Sequence, residues 1–197
     1  SVNNNNMNGM FYRASSFNKP LDSWNVSKLT SMECMFFSAF EFNQPLEQWD
    51  VGNVKNMDGM FMEAKSFNQP LGEWNVSKVI TMFAMFKEAS SFNQPLNSWD
   101  VSSVTNMNYM LYDAREFNQP LDKWNVSSVT DMGNMFYGAL SFNQPLDSWD
   151  VSSVTDMGGM FDAASSFSQI FCWDLKTTVS SPYRGILEGP RNSIIIH

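Results

Sequence analysis

The sequence predicts an α/β solenoid: a leucine-rich-repeat-like, right-handed stack of about seven coils, each with one short parallel strand and one short helix. Three observations predict this fold. Methionine recurs every 25 residues in two columns, and tryptophan recurs with the same step. Each unit also carries one segment whose apolar residues have helical spacing and a second segment in which apolar and polar residues alternate. A unit this short cannot bury two apolar faces alone, whereas stacked units bury them against one another.

The methionine columns begin at Met7 and Met10, and together they contain all but one of the 15 methionines. The tryptophans keep the 25-residue step from Trp24 to Trp149, and Trp173 arrives one residue early. The unit reads roughly Met-x-x-Met-Phe-x-x-Ala-x-x-Phe-Asn-Gln-Pro-Leu-x-x-Trp-Asp/Asn-Val-Ser-x-Val-Thr-x. The unusual composition is therefore a property of one repeated unit.

Two segments of each unit have the periodicity of regular secondary structure. The first has the spacing of one helical face, preceded by Ser and Thr residues that suit a helix N-cap. In the fifth unit its apolar positions are Val104, Met107, Met110, Leu111 and Ala114. In the second segment Leu121, Trp124 and Val126 stand among polar residues, which predicts a strand with one buried side. The proline before each leucine is expected at the strand entry, because proline cannot donate to a ladder.

The repeat pattern divides the chain into two parts. Residues 1–174 are predicted to form the repeat domain, and residues 175–197, in which the pattern is lost, a C-terminal cap. Cys34 and Cys172 would then lie roughly 26 Å apart at about 4.8 Å per coil, which is too far for an internal disulfide.

The formal net charge of -8 argues against nucleic acid and against anionic lipid as partners, because both attract basic surfaces. No apolar run approaches the ~20 residues of a membrane-spanning helix.

Residues 142–157, which read Phe-Asn-Gln-Pro-Leu-Asp-Ser-Trp-Asp-Val-Ser-Ser-Val-Thr-Asp-Met, resemble the BspA-like bacterial surface-protein repeat. The Leu-x-x-Trp-x-Val segment also has the outline of a leucine-rich repeat. The resemblance extends over about residues 5–174. Related repeats occur in bacterial surface lipoproteins and adhesins, in protists and in giant viruses. The resemblance implies a leucine-rich-repeat-like solenoid at a cell or particle surface, with no catalytic activity and no single ligand.

The residues themselves also argue against catalysis. His197, the terminal residue, is the single histidine, so no Ser-His or Cys-His pair is expected. The sequence has no phosphate-binding glycine loop and no Cys/His metal cluster. We therefore predict a non-enzymatic protein without a cofactor or a metal site. Cys34, next to Glu33, is expected to be unreactive, because a reactive thiol needs an electropositive neighbour.

Two sets of asparagines are candidates for special roles. Asn25, Asn75 and Asn125 begin Asn-Val-Ser sequons, so they are candidate glycosylation sites. Aspartate fills the same column in alternate units, which favours a structural role. Asn-Gln pairs such as Asn43-Gln44 are expected to bond to the turns of adjacent coils instead of a ligand.

The predicted binding site is an acidic face of the sheet, formed by the variable positions before each tryptophan and the Asp/Asn column after it. Such a face favours cationic protein patches, or glycans held through their hydroxyl groups. A divalent cation is an unsupported partner, since no single coil supplies the six to eight oxygens that calcium prefers. Variable positions are equally typical of an unconstrained solvent face, and charge relief alone also explains the Asp/Asn alternation. The candidate residues are Asp22, Glu47, Asp50, Glu73, Asp100, Asp122, Asp147 and Asp150.

These features favour an extracellular or cell-surface adhesion module that binds a protein or a glycan. The alternative is a structural or assembly component, such as a coat, filament or spacer, that packs through its repeat array.

Overall fold

The structure is a computed structural model that describes residues 6–169 and Trp173, and its backbone is a stack of 25-residue coils. One residue in each coil forms a parallel bridge with its equivalent in the neighbouring coil, and each coil begins at that residue. The bridging residues are Asn6, Ser31, Asn56, Thr81, Asn106, Asp131 and Asp156. The 25-residue period predicted from the sequence is therefore confirmed.

The predicted α/β class is wrong, because residues 6–169 contain no helix and no strand longer than a single bridge. Each coil is instead a succession of turns. In the fourth coil, which begins at Thr81, turns occupy residues 83–88, 90–91, 97–98 and 102–103.

Positive φ angles exclude the predicted helix in the segment from Val104 to Ala114. Tyr109 and Asp113 have φ angles of 58° and 52°, whereas a helix requires a φ near −60° at every residue. The N–H groups of Met110 and Ala114 donate to carbonyls only three residues earlier. Successive turns of this length return the same side chains to the core as a helix would. The apolar spacing of the sequence therefore did not distinguish a helix from a succession of turns.

Two turns also replace the predicted strand. The Leu121 carbonyl accepts the Trp124 N–H at 3.1 Å, and the Val126 carbonyl accepts the Val129 N–H at 2.9 Å. Leu121, Trp124 and Val126 are buried while their neighbours are not. A pair of adjacent turns has thus produced the alternation that suggested a strand.

Hydrogen bonds from alternate N–H groups hold neighbouring coils together. Gly59, Phe61 and Glu63 donate to carbonyls of the next coil at 2.8, 2.9 and 2.7 Å, whereas Met60 and Met62 between them close turns within their own coil. Gly59 and Glu63 are the residues with positive φ in this segment. The alternation gives the backbone groups of each turn segment a partner without any regular secondary structure.

The apolar columns point inward, as predicted. Trp99 is 2% exposed, and Phe86 stacks on Phe61 and Phe92 with ring centroids 5.6 and 4.1 Å away. Stacked aromatic pairs contribute roughly 0.5–1.5 kcal/mol beyond the area that they bury. Four of the core residues of the first coil are only partly buried, because a described coil covers them on one side only. These residues are Met7, Phe11, Phe17 and Trp24.

Each buried tryptophan also links its coil to the previous one. The Trp99 indole N–H donates to the Leu71 carbonyl at 2.9 Å, and the same carbonyl accepts the Trp74 N–H at 3.1 Å. One carbonyl therefore closes a turn and anchors the next coil. The predicted cap over residues 175–197, together with Cys172 and His197, lies outside the described residues.

We expect Glu88→Gly to be more stable than Glu88→Ala by about 1 kcal/mol, because the φ of 58° penalises any residue with a Cβ atom. The usual order is the reverse, since glycine loses more backbone entropy on folding than alanine. Ser90, two residues on, is the matched control because its φ is not positive, so Ser90→Ala should be at least as stable as Ser90→Gly. Urea denaturation measures all four variants. A Glu88→Ala variant as stable as Glu88→Gly would contradict the left-handed conformation.

Candidate functional site

The eight acidic residues predicted to form a binding site are all exposed, but none lies on a sheet face, and five of them lie in turns. One subset lies in the turn before each tryptophan, where Asp122 accepts a hydrogen bond from the Asn97 amide at 2.9 Å. The other subset follows each tryptophan. A ligand role for these residues stays a prediction. They are Asp22, Glu47, Asp50, Glu73, Asp100, Asp122, Asp147 and Asp150.

The Asp/Asn column after each tryptophan has a structural role. Asp100 Oδ1 accepts the Ser102 hydroxyl at 2.6 Å and the Ser102 N–H at 3.1 Å, and these hydrogen bonds lower the pKa of Asp100. Asn75 Oδ1 makes the same two bonds to Ser77, at 2.7 and 3.2 Å. Either residue type supplies the oxygen that begins the turn, which explains why both occur in this column. The sequon asparagines Asn25, Asn75 and Asn125 are exposed, and their glycosylation stays a prediction.

The Asn-Gln pairs form the predicted ladder between coils. Asn68 Oδ1 accepts the Asn93 N–H and the Gln94 side-chain amide, both at 3.0 Å. The same arrangement extends from Asn18 to Gln169. These amides satisfy the backbone of the next coil, so their structural role is confirmed.

A second part of the surface, which sequence reasoning missed, contains two cavities. The larger, of about 340 Å³, is lined by Arg13, Ser15, Phe37, Ser38, Phe40 and Glu63. The smaller, of about 190 Å³, is lined by Lys65, Glu88, Ser90, Asp113 and Arg115. Each cavity includes one residue of the third coil, Glu63 in the larger and Lys65 in the smaller. We call the combined feature, which extends over the first five coils, the groove.

Two columns form the groove, and their side chains differ from coil to coil. The first column contains Arg13, Ser38, Glu63, Glu88 and Asp113. The second, two residues further along each coil, contains Ser15, Phe40, Lys65, Ser90 and Arg115. Scaffold columns such as the asparagines of the ladder are nearly constant by comparison. The groove is therefore a place where a repeated backbone displays coil-specific chemistry.

Aromatic side chains, of which Tyr12 is exposed and Phe37, Tyr112 and Tyr137 are partly buried, precede the first column of the groove by one residue. Tyr12 stacks on Phe37 with centroids 4.7 Å apart, and Tyr112 stacks on Tyr137 at 4.6 Å. Lys87 occupies the same position of its coil as these four aromatic residues do in theirs, and its Nζ lies 5.1 Å from the Tyr112 ring centroid. Exposed tyrosine and phenylalanine next to charged groups are typical of protein interfaces, where large rigid side chains supply much of the contact energy.

The first column of the groove has an unfavourable backbone conformation. Arg13, Ser38, Glu63, Glu88 and Asp113 all have φ angles between 52° and 59°. Such a conformation costs a residue with a Cβ atom roughly 1–2 kcal/mol. Gly138 fills the same column in the sixth coil, so glycine also serves the scaffold there. The sequence signal for these conformations was glycine at Gly9, Gly59 and Gly138 in otherwise variable columns.

Cys34 is the single cysteine among the described residues. Burial, followed by the charges of Glu33 and Asp58, raises the pKa of its thiol. A raised pKa keeps the thiol protonated at neutral pH, which supports the prediction that Cys34 is unreactive.

Within the described part of the chain, no group of three or more His, Cys, Asp or Glu residues is arranged to hold a metal ion. None of the described residues belongs to a helix that is long and apolar enough to cross a membrane.

Comparison with known proteins identifies the repeat family. The model of the family described as "Mycoplasma protein of unknown function, DUF285" matches residues 2–99 and again residues 91–183. The two matches cover most of the chain, and each spans several 25-residue coils. No curated protein and no solved structure matches the chain.

Asp58 is half-buried, and burial raises its pKa, although hydrogen bonds from the Thr81 hydroxyl and the Phe83 N–H partly oppose the shift. An acid with a raised pKa binds its proton more tightly in the folded state. It therefore lowers the free energy of unfolding as pH rises from about 4 through the folded pKa. Asn8 fills the same column and accepts the Glu33 N–H at 3.2 Å, so asparagine keeps the acceptor.

We therefore expect Asp58→Asn to increase the free energy of unfolding more at about pH 7 than at about pH 3. Asp100→Asn is the control with the opposite sign, because the lowered pKa of Asp100 contributes stability at neutral pH that is lost on acidification. Urea denaturation across this pH range measures both variants. An Asp58→Asn effect that is constant, or larger at low pH, would show that burial does not disfavour this carboxylate.

Proposed function

We propose that this chain, which belongs to the Mycoplasma protein family of unknown function DUF285, is a non-enzymatic module that binds a protein partner in the groove at a cell or particle surface. The observation that carries the proposal is the pair of cavities along the first five coils, lined by charged and aromatic side chains. The resemblance to BspA-like repeats supports the surface location.

Charged side chains occur in the first column although its positive φ angles cost a residue with a Cβ atom conformational free energy. Glutamate is retained at Glu63 and Glu88 although glycine avoids the strain of a positive φ. The same conformation occurs outside the groove at Cys34, Ala84 and Tyr109, so the charged residues, and not the conformation, support a role at this site. Asp100 and its equivalents, by contrast, are accounted for by the turns that they begin.

Charges of both signs favour a protein over a neutral glycan. The smaller cavity is lined by Lys65 and Arg115 together with Glu88 and Asp113, and the lining of the larger one includes Phe37 and Phe40. Charged, hydrogen-bonding and aromatic groups together are complementary to polypeptide side chains. The alternative of an assembly component stays a prediction from the sequence.

The proposal is tested by selecting a random peptide display library of about 12 residues on the immobilised chain, with a glycan array in parallel. The groove variant is Phe40→Ala, Lys65→Ala, Arg115→Ala. The control variant is Glu47→Ala, Asp100→Ala, Asp122→Ala at the exposed acidic positions. We expect the groove variant to weaken the selected peptides at least about tenfold, a loss of about 1.4 kcal/mol, and the control to change affinity less than about twofold.

Circular dichroism and melting curves establish that both variants are folded. Loss of binding in the control variant alone would place the site at the acidic turns instead. Enrichment of glycans without any groove-dependent peptide would contradict the proposed partner class.

A further inference from the structure

We infer that Tyr112 and Tyr137 are a site of oxidative crosslinking, at which a carbon–carbon bond between the two phenol rings joins the fifth and sixth coils. The inference goes beyond the proposed function, because it concerns a modification of the chain itself and does not depend on the partner of the groove.

The two tyrosines occupy equivalent positions of successive coils. Their ring centroids lie 4.6 Å apart, and the ring planes are inclined by only 5°. The Tyr112 N–H closes a turn with the Tyr109 carbonyl, and the Tyr137 N–H closes the equivalent turn with the Asn134 carbonyl, both at 3.2 Å. Because the backbones match and the rings are parallel, each ring atom lies at about the centroid separation from the same atom of the other ring. The carbons ortho to the two hydroxyl groups are therefore about 4.6 Å apart.

Tyr112 lies between two neighbours in its column. Lys87 holds the same position in the fourth coil, and its Nζ is 5.1 Å from the Tyr112 ring centroid, so a cation lies on one side of the ring and the second phenol on the other. Both tyrosines are partly exposed, which gives a small oxidant access to them. Rotation about the Cα–Cβ and Cβ–Cγ bonds brings the ortho carbons from this separation to bonding distance.

The reaction is a two-electron oxidation, with hydrogen peroxide as the oxidant and a haem peroxidase as its catalyst. Each phenol loses one electron and one proton and becomes a phenoxyl radical. The two radicals form a bond between their ortho carbons, and the hydrogen on each of these carbons moves to the oxygen, which restores both phenols. The two protons and two electrons that leave the protein convert the peroxide to two molecules of water. Burial, followed by the charge of Tyr137, raises the pKa of the Tyr112 phenol, so this phenol carries its proton at neutral pH and releases it on oxidation.

The same column contains a matched pair that cannot react. Tyr12 stacks on Phe37 with centroids 4.7 Å apart and planes inclined by 11°, but phenylalanine has no hydroxyl group to oxidise. Tyr109 belongs to the fifth coil like Tyr112, and its ring is tilted by 45° with its centroid 5.4 Å away. Stacking across coils therefore singles out Tyr112 and Tyr137 among the tyrosines that the structure describes.

The test treats the full chain at low concentration with a haem peroxidase and limiting hydrogen peroxide, and measures dityrosine fluorescence in the monomer fraction. Trypsin cleaves after lysine and arginine, so it leaves Tyr137 as the single tyrosine of residues 124–176 and Tyr112 with Tyr109 in residues 88–115. Mass spectrometry should find these two peptides joined and lighter than their sum by two hydrogen atoms. Coupling within one chain should outrun coupling between chains, because the fold holds the two reacting groups together.

Single substitutions identify the reacting pair. Tyr112→Phe and Tyr137→Phe should each lower the fluorescence at least about tenfold, because each removes one phenol of a preorganised pair. Tyr109→Phe and Tyr12→Phe are the matched controls and should retain the fluorescence. Phe37→Tyr, added to Tyr112→Phe, should restore it by giving Tyr12 a stacked phenol. Circular dichroism of every variant should match that of the unmodified chain.

The crosslinked monomer should melt about 5–10 °C above the unmodified chain, because the bond closes a loop between two coils in the unfolded state, as a disulfide does. An unchanged melting temperature would contradict a crosslink between coils.

Fluorescence that persists undiminished in Tyr112→Phe or Tyr137→Phe, or that disappears in Tyr109→Phe, would overturn the inference, since a different pair would then be reacting. Crosslinked dimers without crosslinked monomer would also overturn it, because they report encounters between chains. Failure of Phe37→Tyr to restore coupling would show that stacking across coils does not select the pair.

Discussion

The left-handed conformation of two residues in every coil is the constraint on which the rest of the structure depends. Residues such as Gly59 and Glu63, four positions apart, turn the backbone so that alternate N–H groups leave the coil and reach the carbonyls of the next. The intervening N–H groups close turns inside the coil. This division satisfies the backbone of a chain without helices or extended strands over the described residues, and it sets the register of neighbouring coils.

Side-chain ladders strengthen the same register. The tryptophan indole donates to the leucine carbonyl of the preceding coil, and each asparagine of the Asn-Gln pair accepts two hydrogen bonds from the following coil. Phenylalanine rings stack along the core at separations such as the 5.5 Å between Phe36 and Phe61. Because these contacts use constant columns, the outward columns are free to differ between coils. Charged side chains that differ between coils therefore line the groove without disturbing the core.

The sequence predicted the features that depend on period and polarity. The 25-residue step, the inward columns, the Asn-Gln ladder and the raised pKa of the Cys34 thiol beside Glu33 all follow from which residues recur and which neighbours they have. The local backbone did not follow, because turns of three or four residues bury Val104, Met107, Met110, Leu111 and Ala114 in the same pattern as a helix. The groove was missed for a related reason. Residues of its two columns line the same cavity because of the turn between them, and the sequence did not reveal that turn.

The account is tested most directly by scalar couplings across hydrogen bonds, measured by nuclear magnetic resonance on deuterated, isotope-labelled protein. The amide nitrogen of Phe86 should couple to the carbonyl carbon of Met110, in the next coil, because their hydrogen bond is 2.9 Å long. The amide nitrogen of Met85 should couple to the carbonyl carbon of Met82 within its own coil. A coupling from Phe86 to Met82 would instead mean that the segment is α-helical, with bonds to the fourth preceding residue, and would contradict the turn-built stack.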